Sequence, residues 1–462
     1  MKFLAIMCRK MQKHLLLCAE KCNFAPKQVQ KNVILLMERF VYQELIAWKN
    51  SKKRKPLVLN GARQVGKTWL LKEFAQREYA KTAYVMCRKN ALVKDIFSVD
   101  FNIDRILRAL SALTGVDITP QDTLLILDEI QEVPEALEAL KFFCEEAPSY
   151  HIAVAGSLLG LSMHVGTSYP VGKVSTINVY PMNFGEFLLA KGEDQMQQLL
   201  ASKDFSTINL LHEKYVDLLR QYFYVGGMPE AVQAHIDNEG LQAVRSIQLE
   251  ILRGYDRDFS KHAPANKVAR IRMVWQTIPA QLFRENKKFI FGAVSRGSRA
   301  KDFEIAIQWL CDAGLVHRVQ RVSKPELPLK IYAEMNAFKL YLSDIGLLGA
   351  MAEVQPAQIL VNNNIFKEYK GGMTEQYVLQ QMVSHEMGGI YYHSTDESRL
   401  EIDFLVQREG ALLPIEVKAE GNVRSNSLSN LLQKRSDLHA ERYSMLPYKE
   451  QEHLTNVPLY AV

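Results

Sequence analysis

A glycine-containing segment from Gly61 to Thr68 constrains the fold of this chain more than any other feature. Its sequence is Gly-Ala-Arg-Gln-Val-Gly-Lys-Thr, after the apolar residues Leu57 to Leu59 and before a helical pattern that starts at Trp69. Glycines at such positions allow successive backbone N–H groups to face one anion, and the following helix adds its positive end. A strand, this motif and a helix together predict an α/β domain with a site for nucleotide phosphates.

Two side chains of this segment have expected roles at a bound nucleotide. Lys67 reaches the β- and γ-phosphates, and Thr68 is a ligand of Mg²⁺. The predicted cofactors are therefore ATP and Mg²⁺. The backbone of the whole segment surrounds the phosphates, so the predicted nucleotide-binding residues include Gly61, Ala62, Arg63, Gln64, Val65, Gly66, Lys67 and Thr68.

A phosphate site of this kind also needs an acidic residue that holds the metal from a neighbouring strand. The apolar run Leu124 to Leu127 predicts a strand buried on both faces, and it ends at Asp128 and Glu129. Ligands bind at the carboxyl ends of strands in open α/β sheets, so we assign Asp128 to Mg²⁺ and Glu129 to the attacking water. The next apolar run ends at Ser157, which is predicted either to sense the γ-phosphate or to cap a turn.

Composition and length bound the remaining possibilities. The chain has 462 residues, of which 48% are hydrophobic and 23% charged, as in globular proteins. A net charge of +6 is small for this length and does not indicate nucleic acid by itself. The six cysteines have neither zinc-site nor disulfide spacing, and no apolar run reaches the length of a membrane span. We therefore expect a cytoplasmic protein without membrane contact.

Changes in the hydrophobic pattern predict four segments. They are an N-terminal extension at 1–36, with Met37 as an alternative start, a P-loop α/β domain at 37–220, a helical and winged-helix module at 221–330, and a mixed α/β domain at 331–462. A helix from Phe303 that stops at Gly314 and leads into a strand indicates the winged helix. Six basic residues precede or begin this helix: Arg284, Lys287, Lys288, Arg296, Arg299 and Lys301. They indicate either a surface that contacts nucleic acid or an ordinary solvated face.

Two strand-like runs near the C-terminus place acidic residues opposite each other. If the turn between them is at 409–410, Asp403 lies opposite Glu416, and Lys418 projects from the same side as Glu416. Facing carboxylates at this spacing, with Glu375 as a further ligand, predict a divalent-metal site. Lys418 would deprotonate or orient a water there, or offset charge that develops on a phosphate. The alternative is a solvated face of ion pairs.

With both sets of residues in view, the chain resembles a prokaryotic family of AAA-type, STAND-like P-loop ATPases. In that family a C-terminal domain of uncertain function is related to the PD-(D/E)XK restriction-endonuclease fold. The resemblance rests on an ordered set of phrases at 59–68, 127–131, 155–157, 180–187, 225–232, 339–348, 401–406 and 415–418. It implies a winged-helix middle module and a nuclease-like C-terminal domain. It also implies that Asp403, Glu416 and Lys418 correspond to the nuclease D…E-x-K pattern.

The family pattern and this chain differ at one position that bears on the rate of hydrolysis. The family has Gly-Arg before its Tyr-Pro-Met phrase, whereas here Gly172 is followed by Lys173. Lysine lacks the bidentate fork that arginine offers a phosphate, which leaves open whether Lys173 replaces an arginine finger, and slow hydrolysis is expected.

These observations predict a Mg²⁺-dependent ATPase coupled to a nuclease-like domain that acts on or near DNA. The residues expected to carry the chemistry are Lys67, Glu129, Asp403, Glu416 and Lys418. One alternative is an ATP-driven regulatory switch whose silent nuclease fold binds a protein partner or DNA. Another is a non-enzymatic DNA-binding protein that uses the winged helix. ATPase rates with and without DNA distinguish these functions.

Overall fold

The computed structural model describes residues 38–156, 170–284, 287–297, 299–360, 367–395, 400–419 and 426–462. The N-terminal extension predicted for residues 1–36, the alternative start at Met37 and the predicted phosphate sensor Ser157 lie outside these ranges. Within them, no helix is both long enough and apolar enough to cross a membrane.

A five-stranded parallel sheet occupies the N-terminal half. Its strands are β1 (Leu57–Asn60), β2 (Lys81–Met86), β3 (Thr123–Asp128), β4 (His151–Ala155) and β5 (Ser175–Asn178), in the spatial order β2-β3-β4-β1-β5. The helices among them are α1 (Tyr42–Asn50), α2 (Lys67–Glu78), α3 (Ala91–Ser98), α4 (Ile103–Thr114) and α5 (Pro134–Glu146). All six residues of β3 are buried, as expected for a strand covered on both faces. The predicted α/β fold with a P-loop-type parallel sheet is confirmed.

Helices dominate the middle of the chain. They are α6 (Phe184–Ala190), α7 (Asp194–Ser202), α8 (Phe205–Leu210), α9 (His212–Val225), α10 (Pro229–Ile236), α11 (Leu241–His262), α12 (Val268–Leu282), α13 (Phe291–Val294) and α14 (Ala300–Asp312). The helix predicted before Gly314 is α14. Gly314 has a φ of 70°, a conformation that favours glycine after a helix end.

A mixed sheet of eight strands forms the C-terminal half. Its strands are β6 (Val316–Val322), β7 (Ala333–Leu342), β8 (Ile390–Ser394), β9 (Glu401–Arg408), β10 (Ala411–Lys418), β11 (Ala440–Ser444), β12 (Lys449–Gln451) and β13 (Leu454–Pro458). Their spatial order is β12-β13-β11-β10-β9-β8-β6-β7. The helices in this half are α15 (Ile345–Met351), α16 (Pro356–Leu360), α17 (Lys367–Ser384) and α18 (Asn426–Lys434).

The strand expected to follow the winged helix belongs to this C-terminal sheet. It is β6, which pairs antiparallel with β7 and parallel with β8. The boundary predicted between residues 330 and 331 therefore falls inside the sheet. The local pattern after Gly314 indicates a strand, but the partners of that strand are set by pairing with residues 333–342 and 390–394, which no local pattern specifies.

The predicted hairpin is formed by β9 and β10. Arg408 pairs with Ala411, and Phe404 pairs with Ile415, so the register is the one expected for a turn at 409–410. Both turn residues have positive φ, as the tightest hairpin turns require. One further step in this register places Asp403 opposite Glu416.

Segments far apart in the sequence meet where the two halves join. The carbonyl oxygen of Gly227 accepts a hydrogen bond from the Met182 N–H at 2.7 Å, and the Gly227 N–H donates to Asp344 Oδ2 at 2.6 Å. A Cβ on Gly226 would lie 2.4 Å from Asp344 Oδ1, so the backbone can approach this closely only at glycine. One hydrophobic core contains residues from both sheets.

Candidate functional site

The predicted phosphate loop lies between the end of β1 and the start of α2. Gly61 has a φ of 142°, and a Cβ there would lie 2.1 Å from the carbonyl oxygen of Val179, so the close approach requires glycine. Gly66 has a φ of 94° and directly precedes Lys67, the first residue of α2. The loop therefore turns at both glycines and leads into the N-terminal end of a helix.

The ammonium group of Lys67 lies against the loop backbone. Its Nζ donates hydrogen bonds to the carbonyl oxygens of Gly61, at 2.7 Å, and Ala62, at 2.6 Å. Burial lowers the pKa of Lys67 to about 8, although Glu129 and Asp128 oppose this shift. A phosphate group placed in the loop would supply the negative charge that stabilises the ammonium.

Thr68 and Asp128 meet beside the loop. Thr68 Oγ1 donates a hydrogen bond to Asp128 Oδ2 at 2.8 Å, and the Tyr84 hydroxyl donates to the same oxygen at 2.8 Å. A hydroxyl and a carboxylate side by side fit Mg²⁺, which binds few protein ligands and keeps waters and phosphate oxygens as the others. Thr68 and Asp128 would hold this ion. When bound, Mg²⁺ would neutralise negative charge on the phosphates.

Glu129 follows directly after the strand that carries Asp128. It has a φ of 54°, which is uncommon for a residue other than glycine, and it leads into the short 3₁₀ helix Ile130–Glu132. Its N–H donates to Asp128 Oδ1 at 3.0 Å, and its carboxylate accepts a hydrogen bond from the Gln131 side chain. This oriented carboxylate beside the metal-ligand pair is suited to positioning a water molecule.

A cavity of about 380 Å³ opens beside the loop. The residues that line it are Arg63, Gln64, Gly66, Lys67, Thr68, Trp69, Asp128, Glu129, Gly156, Pro229 and Glu230. Five of the predicted loop residues and both acidic residues line this cavity, whereas Gly61, Ala62 and Val65 do not. The first two residues of α10, from the middle of the chain, also line it. Pro229 is close to the loop, since a Cβ on Gly66 would contact its Cγ at 3.5 Å.

A buried arginine supports the loop. Arg39 donates to the carbonyl oxygen of Val65 at 3.0 Å and to that of Tyr180 at 2.6 Å. Its Nε pairs with Glu186 at 3.1 Å, and both side chains are buried. Glu186 also completes the capping box of α6 with Asn183. A buried ion pair is stable only when its remaining groups are hydrogen-bonded, and here those bonds fix the loop relative to α6.

Lys173 does not take part in this site. Its Nζ pairs with Glu145 at 2.8 Å on an exposed surface, and this hydrogen bond raises the pKa of Lys173. Among the described residues, those that line the cavity do not include it. The position at which the family has arginine is therefore not a source of positive charge for the phosphates in this structure.

The second predicted set of residues is brought together on β9 and β10. Lys418 Nζ pairs with Glu416 Oε1 at 2.6 Å, and Asp403 Oδ2 accepts a hydrogen bond from the Val417 N–H at 2.8 Å. Burial, together with the carboxylates of Glu375 and Glu416, raises the pKa of Asp403 well above its usual range. Asp403, Glu416 and Lys418 therefore lie close together, as the hairpin register predicts.

Two lysines that the sequence did not assign to this cluster lie among its carboxylates. Lys339 Nζ contacts Glu401 Oε1 at 2.5 Å and Glu375 Oε2 at 3.5 Å, and Lys287 also pairs with Glu375. Burial disfavours the charged form of Lys339, but Tyr341 and the nearby carboxylates raise the pKa of Lys339 well above its usual range. Burial opposes ionisation of Glu375 as well, yet Lys287 and Lys339 lower its pKa to about 2.

The divalent-metal site expected at Glu375, Asp403 and Glu416 stays a prediction. Among the described residues, no group of three or more Asp, Glu, His or Cys side chains is arranged to hold a metal ion. Ammonium groups contact two of the carboxylates that are expected as ligands. Lys339 binds Glu375, and Lys418 binds Glu416 rather than orienting a metal-bound water.

The predicted basic run is divided between the interior and the surface. Lys287 is only 14% exposed because it pairs with Glu375. Four members of the run are exposed to solvent around α13 and the start of α14: Arg284, Arg296, Arg299 and Lys301.

Three family models match separate parts of this chain. An AAA domain matches residues 53–188, which contain the phosphate loop, Asp128 and Glu129. The predicted P-loop domain of this chain is therefore similar to an AAA domain. A domain of unknown function, DUF8612, matches residues 216–358, and another, DUF4143, matches residues 370–461.

Three solved structures are similar to this chain at low sequence identity. The Walker-type ATPase PABY2304 of Pyrococcus abyssi is 14% identical over 67% of this chain and 94% of its own, with a TM-score of 0.43. Cdc6p from Pyrobaculum aerophilum is 14% identical over 73% of this chain and 97% of its own, with a TM-score of 0.25. The Aeropyrum pernix Orc1 protein, solved in complex with DNA, is 14% identical over 68% and 90%, with a TM-score of 0.27. No curated protein matches.

Several residues of the two sites are not found by sequence reasoning. Pro229 and Glu230 lie in the family phrase at 225–232, and Lys339 begins the phrase at 339–348. These phrases mark the three residues in the sequence but do not predict which site each residue joins in the folded protein. Trp69 and Arg39 flank recognised elements and show no pattern of their own. Their contacts depend on long-range packing.

Proposed function

We propose that this protein is a Mg²⁺-dependent ATPase that works as a nucleotide-driven switch. The observation that carries the proposal is the direct contact of Thr68 with Asp128 at 2.8 Å, beside Glu129 and at the edge of the cavity of about 380 Å³. A phosphate loop, a metal-ligand pair and a water-orienting carboxylate are the parts that phosphoryl transfer to water needs.

Each residue has a separate task in this proposal. The loop N–H groups and Lys67 bind the phosphates, Thr68 and Asp128 hold Mg²⁺, and Glu129 orients the attacking water. The switch part of the proposal is supported by Pro229 and Glu230, because these residues of the middle region line the same cavity as the loop. A nucleotide there contacts two parts of the chain at once.

Two variants test the ATPase assignment. Lys67→Ala should abolish ATP binding, because it removes the charge that contacts the β- and γ-phosphates. Glu129→Gln should keep ATP affinity and lose turnover by roughly a hundredfold or more, the size of a lost general-base contribution. Affinity is measured by calorimetry with Mg²⁺-ATP, and turnover by phosphate release. Equal loss of affinity and turnover in Glu129→Gln would contradict its role.

The C-terminal sheet is proposed to bind a partner rather than to cleave nucleic acid. The support is that Lys339 and Lys418 hold the carboxylates through which a nuclease would bind metal. We expect full-length protein to cleave neither single-stranded, double-stranded nor branched DNA with Mn²⁺ or Mg²⁺. Mn²⁺ binding should be the same in wild type, Asp403→Ala and Glu416→Ala. If wild type binds Mn²⁺ at this site and both substitutions abolish that binding, the hypothesis of a metal-dependent nuclease would be supported instead.

A second candidate is an ATPase whose rate responds to DNA. The observation that favours it is the group of exposed cations at Arg284, Arg296, Arg299 and Lys301. DNA should then stimulate turnover, the stimulation should weaken with added salt, and Arg296→Glu with Arg299→Glu should remove it. Arg253→Glu, which changes an exposed arginine on α11, is the matched control. A rate that is indifferent to DNA would leave a protein partner as the signal.

A further inference from the structure

Arg63 lies in the phosphate loop and lines the cavity beside it. It lines the cavity together with Lys67 and Thr68, and its side chain is 37% exposed. Its guanidinium Nη1 lies 2.5 Å from Asp258 Oδ1, on α11. The loop thus carries a second side-chain cation beside Lys67, and a carboxylate from outside the parallel sheet holds it.

Asp258 and its neighbours fix this guanidinium relative to α11. Asp258 is buried, and its Oδ2 has no hydrogen-bond partner among the described residues. One turn earlier on α11, the Tyr255 hydroxyl donates to the carbonyl oxygen of Arg63 at 2.9 Å. A Cβ on Gly254 would lie 3.7 Å from Gln64 Oε1, so the helix backbone is also close to the loop. Both the backbone and the side chain of Arg63 are therefore oriented by α11.

We propose that Arg63 contacts the γ-phosphate of bound ATP while Asp258 holds it in position, so that α11 senses whether the γ-phosphate is present. This inference rests on the proposed ATPase function and names its regulatory residue. A guanidinium has five N–H donors in a planar fork, so it binds Asp258 through one nitrogen and a phosphate oxygen through another. Among the described residues that line the cavity, Arg63 is the one arginine, and Lys173 pairs with Glu145 instead.

The proposal predicts discrimination between ATP and ADP. ADP lacks the γ-phosphate, so it gains nothing from Arg63, whereas ATP gains a charge-assisted contact. Arg63→Ala should weaken ATP binding by about tenfold to a hundredfold and leave ADP binding unchanged, the range expected for a hydrogen bond to a charged group. Arg63→Lys should recover part of the loss, because it keeps the charge but not the fork.

Asp258 should act only through Arg63. Asp258→Asn is expected to weaken ATP binding several-fold with no effect on ADP. The double variant Arg63→Ala with Asp258→Asn should be no weaker than Arg63→Ala alone, because the two residues act as one unit. Arg257→Ala is the matched control, since it removes an exposed arginine from α11 that pairs with Glu250. This control should bind both nucleotides normally.

The experiment is calorimetric titration of the full-length variants with Mg²⁺-ADP and with a slowly hydrolysed ATP analogue. Thermal melting checks that each variant is folded. Equal weakening of ADP and the analogue in folded Arg63→Ala would overturn the proposal, as would additive losses in the double variant. A wild type that binds but does not hydrolyse ATP would refute the proposed ATPase function, and the ratio of the two affinities would still decide the role of Arg63.

Discussion

Lys67 links nucleotide binding to pH. Burial lowers its pKa to about 8, and bound phosphates favour the charged form, so binding takes up a proton above that pH. We expect the ATP association constant to be level below about pH 8 and to fall by about tenfold for each further pH unit. The measurement is a series of calorimetric titrations between about pH 7 and pH 9.5.

Lys67→Arg is the control for this titration. Arginine stays protonated throughout the range, so the bend in affinity should disappear even if affinity is lower overall. A bend that persists in Lys67→Arg would assign the titration to another group.

Glu375 is expected to be a stabilising carboxylate. Lys287 and Lys339 lower its pKa to about 2 against the effect of burial, so its contribution to stability is present above its ordinary pKa and is lost as pH falls toward 2. Glu375→Gln leaves the ammonium group of Lys287 without its carboxylate partner and leaves Lys339 paired with Glu401 alone. We expect a loss of about 3–5 kcal/mol in the free energy of unfolding, measured by urea denaturation at neutral pH.

Asp403 should behave in the opposite way. Burial and the carboxylates of Glu375 and Glu416 raise its pKa, so its contribution to stability is complete below its ordinary pKa and is lost as pH rises through the raised value. Asp403→Asn keeps an acceptor for the Val417 N–H without the charge. Its stability at pH 8 should equal or exceed that of wild type, and the difference should shrink as pH falls. A large loss at pH 8 would show that Asp403 is needed as an anion.

At the scale of elements, Asp344 connects a helix to a loop from another region. It is the N-cap of α15, accepting from the Leu347 N–H at 2.9 Å, and it also accepts from Gly227 at 2.6 Å and from Gln380 at 3.2 Å. Asp344→Ala leaves buried donors unpaired, which should cost about 3 kcal/mol or more. Asp344→Asn keeps an acceptor and should cost less. Urea unfolding compares the two, and equal losses would show that the charge rather than the acceptor matters.

Elements with strong local patterns were predictable from the sequence, and elements defined by distant partners were not. The strand before Asp128 is a run of apolar residues with acids at its end, and the hairpin register follows from a two-residue turn; both are local properties. β6 was expected in the middle module because its strand pattern gives no information about β8. Lys339 lies among the acidic residues only because β7 and α17 pack together with β9, which depends on tertiary structure.

At the scale of the whole molecule, a continuous series of contacts leads from the phosphate loop to the C-terminal half. Pro229 lies beside Gly66. Gly227, two residues before Pro229, donates a hydrogen bond to Asp344, and Asp344 accepts another from Gln380 on α17. Because the two halves share one core, a change at α10 must be accommodated at this junction. The nucleotide is therefore expected to alter the C-terminal half without touching it.

Hydrogen exchange measured by mass spectrometry tests this coupling. Glu129→Gln with Mg²⁺-ATP should hold the bound state, so amide exchange should slow several-fold in α10, α11 and α15 relative to the nucleotide-free protein. Lys67→Ala under the same conditions should show no change, because it does not bind ATP. Asp344→Asn should keep the protection of α10 and lose that of α15, since the link between them is weakened. In Glu129→Gln, protection limited to the phosphate loop and the end of β3 would show that the C-terminal half does not respond to nucleotide. That result would contradict the proposed switch and favour an ATPase whose two halves act independently.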